Sequence, residues 1–273
     1  MAVVIVVCAL AVLMRTPPPC ACVKFSTDGV PRHIWQTWHT QDVPAAMRAH
    51  ITKLRDAHPE YKYTLMDDAQ SLQFIRDNYP AEVGDAYEAL VPGAYKADLW
   101  RLCALHKAGG IYLDIKYAPV DGRSLREFGT KSHFPRDMDV KVIPQGIHNG
   151  VMIAAPGDPR LEAAIRQIVE NVRRKYYGLS ALHPTGPNML RQFVCPHHED
   201  VDMIFIFPLK VRWLNDKDTP FIQGYSNYRS DQKKTAKTPY YTKLWQRRKI
   251  YNPDAAIYKQ RKPTKLADQS AAP

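Results

Sequence analysis

The sequence predicts an α/β fold, a single domain built on a mostly parallel sheet flanked by helices. Three observations predict it. Short β-prone apolar runs alternate with longer runs of helical periodicity, the pattern of a parallel sheet covered on both faces. The 273 residues are 45% hydrophobic and 24% charged, which suits a packed core and excludes wholesale disorder. The 13 Gly follow no period, excluding collagen-like repeats, and five Cys are too few and too odd in number for a disulfide scaffold.

The first element is an apolar run from residue 2 to 14, closed by Arg15 and Pro17-Pro18-Pro19. A membrane-spanning helix needs roughly 20 apolar residues, whereas a secretory signal core needs only about 7–15. Residues 1–29 therefore read as a targeting segment and Pro linker, leading to a secretory or Golgi-type membrane or lumen. A short retained anchor, or a buried N-terminal strand of a cytoplasmic protein, is the alternative.

Residues 32–38 read as a strand and 44–57 as a helix with Met47, Ile51 and Leu54 on one face, stopped at His58-Pro59. Residues 61–66 form a second strand running into Asp67-Asp68, which either cap the next helix or touch a ribose. Helices follow over 69–78 and 81–90, divided by Pro80. The strongest helical pattern, 94–108, ends at Gly109-Gly110 and passes at once into a strand over 111–115. A strand at 151–154, a helix at 159–173, a short helix at 187–194 and a strand at 203–207 continue the alternation. Beyond residue 211 the pattern weakens, so 30–210 reads as the catalytic unit and 211–273 as a basic extension with a disordered end.

Charge supports that division. The net charge is +11, and residues 210–265 alone hold 15 Lys and Arg against four Asp, leaving 23 of each sign elsewhere. Such a segment suits anionic partners: a nucleotide diphosphate, lipid headgroups or nucleic acid.

In open parallel sheets, ligands bind beyond the carboxyl ends of the strands. The informative stretch there is Asp98-Leu99-Trp100-Arg101 through Gly109 to Lys116. Asp98 and Arg101 are three apart on a helix and share a face; Asp114 and Lys116 are two apart on a strand and share a side. The four converge on one polar ligand, or else form a surface ion pair beside an ordinary strand end. Cys195-Pro196-His197-His198 offers only three ligands where zinc needs about four.

These motifs resemble glycosyltransferase family 32, a DXD-type group that includes an initiation-specific mannosyltransferase and capsular-polysaccharide transferases. The resemblance rests on residues 30–38, on 97–101 with 109–114, on His148-Asn149-Gly150 with 152–154, and on Thr185-Gly186-Pro187. It implies a GT-A-like, Rossmann-type nucleotide-sugar fold. It also implies hexose transfer (mannose, galactose or N-acetylglucosamine) from a GDP- or UDP-linked donor to a glycan acceptor, with retention of configuration. By position, Trp35, Gln36, Thr37 and Trp38 would border the base, and Asp98, Arg101, Gly110 and Tyr112 would hold the donor. Asp114, Lys116 and Asn149 would be the catalytic group, with Asp114 the metal ligand for manganese or magnesium; Thr185 and Gly186 would be structural. Asn149 reads equally as a turn residue before Gly150.

The chain departs from the family where its second Asp should stand, which is Lys116, and no His follows His198. Lysine does not ligate a divalent cation. Three readings stay open: Lys116 itself stabilises the diphosphate, Asp114 alone keeps a hydrated metal, or the protein is a degenerate, glycan-binding transferase. A nucleic-acid-binding role for the aromatic and basic residues 225–251 would leave the Asp98–Lys116 stretch unexplained.

Overall fold

The computed structural model describes residues 29–138, 146–195, 199–206, 209–216 and 219–259. The targeting reading, most of the Cys-Pro-His-His stretch and the chain end therefore lie outside the described residues.

The first half follows the sequence closely. Strand β1 is His33–Thr37, helix α1 Ala45–Ala57, β2 Lys62–Met66, α2 Asp68–Asn78 and α3 Ala81–Ala89. Asp67 caps α2: its Oδ1 accepts from the Gln70 N–H at 2.9 Å, while the Asp67 N–H donates to Gln70 Oε1 at 3.1 Å. Helix α4, Gly93–Ala108, ends at Gly109 with φ 64°, a turn glycine tolerates freely, and β3, Gly110–Leu113, begins at once. Asp114 and Lys116 are not on that strand as expected. It stops at Leu113, and the turn at 114–116, closed by Tyr117 N–H donating to Asp114 O at 2.7 Å, leads into β4, Tyr117–Pro119. A 3-10 turn at Leu125–Phe128 comes next, then β5, Val151–Ala154, α5, Pro159–Arg173, and α6, Pro187–Leu190.

These strands form one sheet in the order β2-β1-β3-β5. β1 is parallel to both β2 and β3, and β5 closes the edge antiparallel, Tyr112 opposite Met152. β3 and β5 are buried on both faces and carry no polar side, whereas the edge strand β2 is only partly covered and keeps Lys62 exposed. Trp35, Tyr112, Met152 and Ala154 point into a core with α3, α4 and α5. Their neighbours Ile34, Ile111, Leu113, Val151 and Ile153 point into a second core.

That second core is closed by a sheet the sequence did not announce. Strands β6, Met203–Ile206, β7, Lys210–Trp213, and β8, Ile222–Gly224, join β4 antiparallel in the order β4-β8-β7-β6. Phe221, Ile222 and Val211 bury against Tyr117, Leu125 and Phe128. Helices α7, Tyr228–Thr235, α8, Tyr241–Gln246, and α9, Ala256–Lys259, complete the chain. Residues beyond 211, which the pattern set apart, are thus joined to the main body by strand pairing. Among the described residues no helix is long and apolar enough to cross a membrane.

Candidate functional site

The four charged side chains named from the sequence meet at the carboxyl end of β3. The i,i+3 spacing on α4 sets Arg101 Nη2 3.3 Å from Asp98 Oδ1, and the guanidinium reaches on to Asp114 Oδ1 at 3.2 Å. The other Asp114 oxygen takes the Lys116 ammonium. Tyr112, on β3, donates its hydroxyl to Asp114 Oδ1 at 2.8 Å, and its ring lies 4.3 Å beneath the guanidinium carbon. Asn149 joins from the loop before β5: its side chain donates to Asp98 Oδ1 at 2.9 Å, and its backbone carbonyl accepts from Arg101. Thr185, expected to be only structural, donates to Asp98 Oδ2 at 2.7 Å. Gly150 admits the whole arrangement, since a Cβ there would sit 2.9 Å from both Asp114 Oδ2 and His148 Nε2.

Electrostatics divides these groups. Burial works against a charge on Asp114, but the Lys116 and Arg101 cations outweigh it and hold its carboxyl well below the usual carboxylate range. Burial pushes Asp98 upward, with Arg101, Thr185 and Asn149 opposing. Lys116 is pushed down by burial, with Asp114 opposing. His148, desolvated and facing Lys116, falls to about 3 and is therefore neutral at ordinary pH. Asp114 is the most open member, its side chain 24% exposed against 5% for Arg101 and 10% for Lys116. The cluster is approached from the Asp114–Lys116 side.

The β1 residues are spread over several environments. Trp35 is buried among Trp100 and Phe74, and its indole donates to Gly109 O at 2.9 Å, so it packs the core. Gly110 faces β1, where a Cβ would lie 2.5 Å from His33 O, and φ is +112°. Gln36 is fully buried and braces Asp114 by donating to its backbone carbonyl at 3.4 Å. Thr37 donates to Met66 O at 2.8 Å. Trp38 lies edge-on to Tyr228, 6.4 Å between centroids, and its indole N–H has no hydrogen-bond partner among the described residues. Of the four, Trp38 has a donor left for a ligand.

Sequence reasoning missed Tyr228. It sits at the start of α7, and the Lys116 ammonium lies between its ring, 5.4 Å away, and that of Tyr117, 4.4 Å away. Arg229 comes directly after it, exposed and near enough to weigh on the Lys116 charge. More than 110 residues separate them from Lys116, and no local pattern could have linked the two.

The residues present do not fit a divalent cation. One carboxylate faces the opening, and both its oxygens are already held, by an ammonium on one side and by a guanidinium and phenol on the other. Among the described residues no group of three or more His, Cys, Asp or Glu could hold a metal.

Part of the chain is similar to known proteins. Residues 44–133 match the model of the glycosyltransferase sugar-binding region containing the DXD motif. Inositol phosphoceramide mannosyltransferase 3 of Schizosaccharomyces pombe is 31% identical over 162 residues, 59% of this chain and 44% of that protein. Mannosyl phosphorylinositol ceramide synthase SUR1 of Saccharomyces cerevisiae is 31% identical over 139 residues, 51% and 35% of the two chains. The chain thus spans less than half the length of these relatives. The uncharacterized glycosyltransferase L373 of Acanthamoeba polyphaga mimivirus is 22% identical over 70% of this chain and 78% of that one. Among solved structures, the PaToxG glycosyltransferase aligns with a TM-score of 0.46 and 16% identity, covering 61% of this chain and 69% of that one. Asp98, Arg101, Asp114 and Lys116 all fall inside the matched stretch, so residues 44–133 are similar to the sugar-binding region of the DXD glycosyltransferases.

Proposed function

We propose that the protein transfers a hexose, mannose first among the candidates, from a nucleotide-sugar donor to a hydroxyl of a phosphoinositol-lipid acceptor, with retention of configuration. The observation that carries this reading is the convergence of Asp98, Arg101, Asp114 and Lys116 at the end of β3, with Asp114 part-exposed. The similarity to an inositol phosphoceramide mannosyltransferase and a mannosyl phosphorylinositol ceramide synthase supports mannose and the acceptor class.

Charge counting favours transfer without a divalent ion. Asp98 and Asp114 balance Arg101 and Lys116, so the quartet is neutral. With aspartate at position 116 it would carry −2, the charge a divalent cation offsets. The change from Asp to Lys supplies the same two units through a covalently held cation. In this mechanism the Lys116 ammonium and Arg101 guanidinium receive the diphosphate as the sugar–oxygen bond breaks. Fixed cations aimed at developing charge in a water-poor site stabilise it without reorganisation. Asp114, gripped by Tyr112 and braced by Gln36, holds both cations in place, and Asp98 with Thr185 positions Asn149 and Arg101. Trp38 and Tyr228 flank the approach, where a base would lie.

A second reading is favoured by the closure of the ion network itself: a nucleotide-sugar binder that does not turn over. Melting shifts with GDP and UDP, with and without manganese, combined with release of free nucleotide from the sugar donor, separate the two. Nucleotide release in EDTA is the expected result. Binding without release selects the second reading, and turnover abolished by EDTA and restored by manganese removes the fixed-cation mechanism.

A further inference from the structure

The large hydrophobic side chains that remain exposed among the described residues are Tyr176, Leu179 and Tyr240, at 41%, 85% and 44%. They are far apart in sequence yet lie on neighbouring elements. Tyr176 and Leu179 belong to the loop between α5 and α6, and Tyr240 is the N-terminal cap of α8. The loop packs on α8 and on the residues just after that helix. Trp245 donates its indole N–H to Tyr177 O at 2.7 Å, Arg248 stacks its guanidinium 4.2 Å over the Tyr177 ring, and Tyr251 donates its hydroxyl to Tyr176 O.

The loop is braced, so the exposure of Leu179 is built in. Gly178 turns with φ +60°, Ser180 Oγ lies 2.9 Å from His183 Nδ1, and Asn171 donates to Pro184 O at 2.8 Å. Leaving a leucine in water forgoes the favourable burial that an apolar environment would give it. The two segments that form this tip carry charge of one sign, and Glu170 and Glu82 beside the loop's start are paired with Arg174 and Arg173. Arg247, Arg248 and Lys249 are exposed, and neither residues 174–186 nor 239–251 contain an Asp or Glu.

We propose that this face, the loop tip at Leu179 with Tyr176, Tyr240 and the Arg247–Lys249 cations, docks the protein onto an anionic lipid surface. A protruding aliphatic side chain ringed by tyrosines and cations matches the acyl boundary, the headgroup level and the phosphates of such a membrane, in that order. Nucleic acid would use the cations and tyrosines but has no place for the leucine. The same loop ends at Thr185, which bonds Asp98 in the cleft. Six residues separate Leu179 from Thr185, so the docking tip lies within about 20 Å of the candidate site. Docked in this way, the cleft stands near the membrane surface, within reach of a lipid-borne hydroxyl. The docking does not depend on turnover and is read without donor.

The test is amide hydrogen exchange on the full chain with vesicles of phosphatidylcholine alone or with added phosphatidylserine. Slower exchange over 175–181 and 240–249 is expected with the anionic vesicles and not with the neutral ones. Replacing Arg247, Arg248 and Lys249 together by Gln lowers affinity for the anionic vesicles on the order of 100-fold. Leu179→Ser lowers it about 10-fold at unchanged salt dependence. Because Arg248 stacks on Tyr177, the Arg247→Gln, Lys249→Gln pair, which leaves that stack intact, is the control: it keeps the parent melting temperature and still lowers affinity about 30-fold. Protection confined to residues before 30, or protection of this face by an RNA oligomer but not by anionic vesicles, overturns the proposal. Loss of vesicle protection with intact nucleotide release refutes the docking face alone and leaves the transferase reading standing.

Discussion

The charge clusters at the start of α5 and at the end of β3 are both buried, and they are built differently. At the start of α5, Arg160 binds Asp158 through Nη2 at 2.7 Å and Asp200 through Nη1 at 2.8 Å, with its guanidinium 5.0 Å over Phe134. Asp158 also caps the helix, accepting from the Arg160 N–H at 2.9 Å, and is fully buried. Every charge there is spent within the protein, and the triad ties α5 to the loop before β6. The cluster at β3 uses the same residue types, but its Asp114 side chain is 24% exposed and its lysine rests on two aromatic rings instead of a second carboxylate. One cluster secures the fold, and the other keeps a charged face toward a cleft.

Breaking each in turn sharpens that contrast. The largest expected effect is on stability: Arg160→Ala strands two buried carboxylates and costs about 3–5 kcal/mol, seen as a drop in melting temperature with nucleotide release per folded molecule unchanged. Next in size, Lys116→Ala lowers nucleotide release in EDTA roughly 100-fold or more, the scale for losing one donor aimed at developing charge. Lys116→Asp makes the same loss but returns activity with manganese, because it recreates the −2 quartet. A wild-type-like rate in Lys116→Ala would show that the ammonium is an incidental ion-pair partner.

A pH series tests the same lysine more gently. Burial lowers the Lys116 pKa from its ordinary 10.5, with Asp114 opposing, so its charge is lost as pH rises with a midpoint below that value. Affinity for GDP or UDP should fall as pH rises through that midpoint, and Lys116→Arg should move the fall upward or abolish it. The smallest effect is expected at Tyr228→Leu, which removes one ring from the ammonium and weakens nucleotide binding about 2–5-fold. Calorimetric titration with the nucleotide reads it, and unchanged affinity would remove Tyr228 from the site.

Much of the fold was legible because its signals are local. The α2 capping box, the Gly109 stop of α4, and the apolar runs that became β1, β3 and β5 are all written within a few consecutive residues. Asp98 and Arg101 could be paired in advance, since helical periodicity alone puts them on one face. For Asp114 and Lys116 the expectation was right for another reason: a turn after Leu113, not a strand, brings them together. Trp35 and Gly110 were drawn to the site by position in a motif, whereas the pleat of β1 and its close approach to Gly110 commit them to packing. Of the second sheet only the apolar β6 was read as a strand; β4, β7 and β8 are short and mixed in character, without the apolar run that marked β3 and β5.

The amino-acid order by itself determined the α/β class, the helix ends and the identity of the charged quartet, including the lysine in place of aspartate. Those features depend on interactions a few residues apart, which propensity and periodicity report directly. Only the tertiary structure decided that residues beyond 211 pair with β4, that Tyr228 shelters Lys116, and that Thr185 reaches Asp98. Contacts between residues some 80 to 110 positions apart leave no mark on local sequence. Burying the far face of the first sheet sets β8 beside β4 and so brings α7 with Tyr228 to Lys116, while Thr185 arrives from the loop before α6.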